Sequence, residues 1–118
     1  MSPAPASQGN PEADGPEEAS DDSVTGRFRE EQELLHRHIR ILQVVTENEP
    51  VGIIKLADLT DYPQHKVRYS LRVLEQEGLI NPTPMGAKTT EKVQQFLPEL
   101  AELVDEMQDT INDLKESL

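Results

Sequence analysis

The stretch from Ile54 to Thr90, IKLADLTDYPQHKVRYSLRVLEQEGLINPTPMGAKTT, most constrains how this chain can fold. Leu56, Ala57 and Leu59 supply the apolar side of a short helix, and Thr60-Asp61-Tyr62-Pro63 breaks it. Val67, Leu71 and Leu74 then fall at i, i+4 and i+7, one face of a second helix. Gly78 stops that helix, because glycine accepts the left-handed backbone needed just past a helix end. Leu79 and Ile80 open a strand, and Asn81-Pro82-Thr83-Pro84-Met85-Gly86-Ala87-Lys88 closes it through a short constrained turn. The expected class is mainly α with a small β-hairpin.

Upstream, the pattern predicts a longer helix from about Arg27 to Asn48, with Pro50 two residues beyond its end. Leu35, Ile39 and Leu42, with Val45 or Thr46, form one stripe, and Leu34, Ile41 and Val44 widen it. A stripe this broad predicts burial on two sides. Val51-Gly52-Ile53 is expected to add a short strand to the hairpin. Pro63 suits the first position of the helix after the break, which leaves Tyr62 or Asp61 as its cap.

Helix, short helix, break, helix and hairpin is the layout of a winged helix-turn-helix, whose second motif helix lies in the DNA major groove. The run His65-Lys66-Val67-Arg68-Tyr69-Ser70-Leu71-Arg72-Val73-Leu74-Glu75-Gln76-Glu77-Gly78-Leu79-Ile80 resembles the recognition helix and first wing strand of transcription regulators of the MarR, ArsR and PadR kind. Their habitual ending stands here as Leu74-Glu75-Gln76-Glu77-Gly78-Leu79-Ile80. The resemblance covers roughly residues 35 to 118 and is specific for fold rather than for operator or ligand. The acidic composition is similar to that of members from halophilic archaea.

That resemblance implies double-stranded DNA as partner and a recognition helix over about 63–77. With Val67, Leu71 and Leu74 turned inward, Gln64, His65, Lys66, Arg68, Tyr69 and Arg72 face outward or sideways. Arginine suits guanine edges and glutamine suits adenine. By position in the family pattern, Gln64, His65, Lys66, Arg68 and Tyr69 are expected to reach bases. Arg72, a turn further along, is expected to meet phosphate. Lys88 is the hairpin's only cation, so strong minor-groove contact is not expected. The competing reading of the same residues is a solvated charged face.

A second strong pattern closes the chain. Val93, Leu97, Leu100, Val104, Met107, Ile111, Leu114 and Leu118 are spaced alternately by four and three, an uninterrupted heptad. With Leu97 at a, the acids Glu99, Glu102, Asp105, Glu106, Asp109, Asp113 and Glu116 fall at b, c and f, away from the seam. A long coiled-coil-type helix over residues 91–118 is therefore expected, overhanging a small domain and pairing with a second copy. The alternative is that it folds back on its own domain. Pro98 inside it costs about 3 kcal/mol, which predicts a kink or a break.

Charge divides the chain as the patterns do. The formal net charge is −12, which at first argues against nucleic acid. Yet residues 1–26 carry six acids and no Lys or Arg, residues 27–89 carry nine of each sign, and residues 90–118 carry eight acids against two Lys. The acid sits on the flanks, where it would keep a protein soluble at high salt, and spares the centre. Residues 1–26, rich in Pro, Ala, Ser, Gly and acid, are expected to be disordered. Such a tail either simply solvates the protein or mimics nucleic acid and competes for the basic face. Residues 27–90 form the expected helix-turn-helix domain.

Little points to catalysis. The chain has no Cys, so thiolate metal sites and disulfides are excluded. His36 and His38 are two apart on a helix and point to different sides, the wrong spacing for a shared metal. His65 could sense pH near a phosphate, although a plain polar contact is the simpler expectation. No P-loop, nucleophile elbow or dinucleotide fingerprint occurs. The expectation is a cytoplasmic, non-enzymatic homodimer without cofactor, metal or membrane span, its effector unassigned. A protein-interaction module in a transcription or replication assembly is the alternative, favoured by the acidity and the short wing.

Overall fold

In the computed structural model of the protein, residues 22–118 are described; the expectation of disorder for residues 1–26 lies outside them up to residue 21 and is corrected at Val24–Gly26, which belong to the first helix because Ser23 caps it. Helix α1 spans Val24–Asn48, α2 Ile53–Thr60 and α3 Gln64–Gln76; strands β1, Ile80–Thr83, and β2, Gly86–Thr89, follow, and α4 spans Lys92–Ser117. The described residues are thus mainly helical with one antiparallel hairpin, paired from Ile80↔Thr89 to Thr83↔Gly86. No helix among them is long and apolar enough to cross a membrane.

α1 starts three residues before its expected position. Ser23 caps it, its Oγ accepting the Gly26 N–H at 2.9 Å and so satisfying a donor that the helix cannot. The C-terminal half of α1 holds Ile41, Leu42, Val44 and Val45 in the core. Leu35, expected in the same stripe, is exposed instead. Its stripe neighbour Ile39 and the flanking Leu34 are only half-buried. The other walls of the core are Val51, Leu56, Val67, Leu71, Leu74, Leu79, Ile80, Ala87 and Val93.

The break between α2 and α3 is tight because Asp61 takes the left-handed conformation, φ 65°, and its N–H returns to the Ala57 carbonyl at 2.9 Å. α2 has only two turns, so Leu56 is buried and Ile53 and Ala57 pack beside it, while Leu59 stays exposed on the flank. α3 begins one residue later than the sequence predicts. Pro63 itself is the N-cap, extended at ψ 150° and without a side-chain hydrogen bond, so neither Tyr62 nor Asp61 caps the helix.

The end of α3 follows the expectation in detail. Gly78 has φ +77°; its N–H bonds the Glu75 carbonyl at 3.0 Å, and the Leu79 N–H bonds the Leu74 carbonyl at 2.9 Å. This is a Schellman closure, with buried Leu74 and Leu79 as its apolar pair. Val51 does not extend into a strand with Gly52 and Ile53, because α2 already begins at Ile53. It forms a single bridge to Ala87, with N–H to carbonyl bonds of 3.1 and 2.8 Å. Gly86 makes that approach possible: at φ +127°, an added Cβ would lie 2.6 Å from the Val51 carbonyl carbon.

α4 is helical straight through Pro98, so the expected break does not occur. Pro98 and Gln94, whose carbonyl loses its partner, are both exposed, where solvent can take that carbonyl. At 26 residues, α4 is about 39 Å long. Only its first turns meet the core, through buried Val93 and partly buried Phe96. It does not fold back along its own domain.

Candidate nucleic-acid and protein interface

Helix α3 is held from beneath. Val67, Ser70, Leu71 and Leu74 are buried and leave Gln64, His65, Arg68, Tyr69 and Arg72 exposed, with Lys66 half-buried. At about 100° per residue the exposed side chains do not form one row. His65, Tyr69 and Arg72 lie nearest the outward direction, while Lys66 and Arg68 flank them on opposite sides. A flat partner would meet the first three together, and a partner that wraps α3 would meet all five.

The cations of α3 make no ion pair among the described residues. Among the described residues no carboxylate lies within 4.0 Å of Lys66, Arg68 or Arg72. In a chain with twenty-three acids against eleven Lys and Arg, such a group on one helix is unexpected from numbers alone. Lys88 is exposed on β2 opposite Asn81, and its nearest electrostatic influence falls on Glu49.

Two polar joints that sequence patterns did not single out position this surface. In the first, His38 Nδ1 of α1 and Ser70 Oγ of α3 are 2.8 Å apart, and the His38 and Tyr69 rings lie 5.8 Å centroid to centroid. Ser70 is fully buried, so this hydrogen bond is what makes a hydroxyl tolerable there. Burial, and secondarily the Arg37 charge, hold the His38 imidazole below its ordinary value of 6.5, so the ring stays neutral near pH 7. The signal in the sequence was Ser70 itself, a polar residue inside the Val67–Leu74 stripe. Beside it, Arg37 is only 6% exposed and its Nε finds no hydrogen-bond partner.

In the second joint, the Glu49 carboxylate accepts the Thr89 N–H at 2.6 Å and the Thr89 hydroxyl at 2.9 Å, tying the hairpin to the end of α1. These bonds, first the backbone N–H and then the hydroxyl, hold the Glu49 carboxyl below its ordinary range. At the hairpin tip Thr83 Oγ1 donates to the Gly86 carbonyl at 2.6 Å and accepts the Met85 N–H at 3.1 Å. The hairpin is thereby fixed at both ends.

The C-terminal residues occupy two environments. Val93 is buried, Leu100 and Met107 are half-buried, and Leu97, Val104, Ile111 and Leu114 are exposed. Leu103, a g position, is exposed beside them and lines a groove with Met107, Thr110 and Ile111. From Leu97 onward the a positions and Leu114 stay exposed, while Leu100 and Met107 are only half-buried.

No protein-family model matches the sequence, and no curated protein matches it. Among solved structures, the activation domain of the phage T4 transcription factor MotA is similar, with a TM-score of 0.50 and 18% sequence identity over 62% of this chain and 78% of that one. At that identity the likeness is one of fold.

Proposed function

We propose that this chain is a winged helix-turn-helix regulator of transcription that binds double-stranded DNA as a homodimer and acts in the cytoplasm. The observation that carries the reading is the outer face of α3, where Arg68, Arg72 and Lys66 have no ion-pair partner among the described residues, on a helix packed against α1, α2 and β1. In an otherwise acidic chain, unpaired cations on a rigid element are suited to phosphate and base edges. His65, Tyr69 and Arg72 sit outermost and take groove-floor and backbone contacts, Gln64 and Arg68 read one edge, and Lys66 meets the opposite strand. The similarity in fold to a domain of a transcription factor supports the same reading.

Dimerisation follows from α4. Leu97, Val104, Ile111 and Leu114 form an exposed seam with its acids on the outer positions, which suits a coiled-coil pair with a second copy. A two-fold pair would set two α3 helices on half-sites about 34 Å apart, and tethering would raise the otherwise weak affinity of each. The acidic flanks fit a protein that works at high salt.

A second reading has its own support. The similar structure is named as an activation domain, and the net charge is −12. On this reading the chain is an acidic winged-helix module that bridges proteins in a transcription assembly.

Selection from a random duplex pool, at KCl from 0.1 M to molar concentrations, separates the two. Enrichment of a palindrome, lost in Arg68→Ala, is the expected result. No enrichment at any salt from folded protein moves the assignment to the bridging module.

A further inference from the structure

Resting on the reading of α3 as a nucleic-acid face, we propose that the acidic N-terminal segment of this same chain docks on α3 and competes with the duplex. Three observations carry it. The α3 cations have no carboxylate partner among the described residues. Residues 1–21 contain Glu12, Asp14, Glu17, Glu18 and Asp21 and not one Lys or Arg. The point from which that segment departs is close enough to α3 for it to reach.

The reach is simple geometry. The His38 ring of α1 lies against Tyr69 of α3. Val24, where α1 begins, is fourteen residues earlier, about 21 Å along the helix axis. Each residue before Val24 adds at most about 3.5 Å, so Glu12 and Asp14, twelve and ten residues out, can reach α3 with slack, Glu17 and Glu18 reach only its near edge, and Asp21 does not reach it. A tether this short holds its acids at an effective concentration on the order of millimolar. Ion pairs at this exposed face are individually weak and screened by salt, so the segment yields to a duplex that offers many phosphates and yields more easily to specific than to random sequence. The consequence is discrimination: non-specific binding is suppressed more than operator binding.

Two full-length variants with equal charge change test this. One carries Glu12→Gln, Asp14→Asn, Glu17→Gln, Glu18→Gln and Asp21→Asn; the other carries Glu99→Gln, Glu102→Gln, Asp105→Asn, Asp109→Asn and Asp113→Asn on the outer face of α4. Affinity for a random-sequence duplex at about 50 mM KCl is expected to rise roughly tenfold in the first and far less in the second, the difference vanishing near 1 M as screening becomes complete. Equal gains in both would mean that only net charge matters, and would overturn the proposal. A second measurement needs no DNA. Zero-length carbodiimide cross-linking, mapped by mass spectrometry, should join the N-terminal acids to Lys66 in preference to Lys115, and the preference should fall in Arg68→Gln/Arg72→Gln. Absence of that preference overturns the contact. If Lys66 is selected but neither protein binds any duplex, the contact stands and the DNA reading fails.

Discussion

α3 and α4 carry the same signature in sequence and meet opposite fates. On α3, Val67 and Leu74 are 0% and 3% exposed; on α4, Val104 and Ile111 are 47% and 57% exposed. Apolar residues at i, i+4 and i+7 define a side of a helix and say nothing of what lies against it. α3 is short and enters the chain between a tight αL break and a Schellman stop, so its apolar side must close on α1, α2 and β1. α4 leaves the core after its second turn and has no such return. One helix therefore stabilises the fold, and the other offers an uncovered stripe.

That contrast can be broken from the buried side first. Leu56→Ala removes a fully buried side chain and is expected to cost about 2–5 kcal/mol in urea unfolding. A loss under 1 kcal/mol would mean that the core is less closely packed than described. Gly86→Ala is next. Its φ of +127° and the 2.6 Å approach to Val51 predict a loss of about 1–3 kcal/mol, along with loss of the Val51 and Ala87 amides from the set most protected against hydrogen exchange.

The joint beneath Tyr69 gives a smaller, pH-dependent effect. His38 is held below its ordinary value of 6.5 chiefly by burial, so folding favours the neutral ring. Its contribution to stability is complete above pH 6.5 and is lost as pH falls through the lowered folded-state value. Unfolding free energies measured from pH 7.5 to 5 should fall in the wild type and flatten in His38→Gln. An unchanged slope would remove His38 from the account. Glu49, also lowered, acts in a separate window: its contribution is present above the ordinary carboxylate range and fades as pH drops through its depressed value.

The smallest effect on the single chain, and the sharpest test of the comparison, is Ile111→Glu. Since Ile111 touches nothing in its own domain's core, dilute protein should unfold within about 0.5 kcal/mol of wild type. Wild-type stability should rise with protein concentration and that of the variant should not, as mass action requires if α4 pairs with itself. Sedimentation showing a monomer for both at high concentration would leave the α4 seam to another partner.

What the sequence determined by itself was local. Periodicity gave the faces of α3 and α4, Gly78 gave the end of α3, and Pro84, Met85 and Gly86 gave a hairpin of short reach, because turns, caps and amphipathic stripes depend on neighbours a few residues away. The cationic composition of the α3 face was legible for the same reason. Tertiary structure decided the rest. It left Leu35 and Leu59 outside the core although both fit their stripes, since a stripe marks a side of a helix and only packing decides which of its residues are covered. It buried Ser70 by supplying His38 from thirty-two residues away, and it made Gly86 indispensable by bringing Val51 against it. Contacts between distant segments and the absence of ion-pair partners are properties of the packed chain, and no window of sequence contains them.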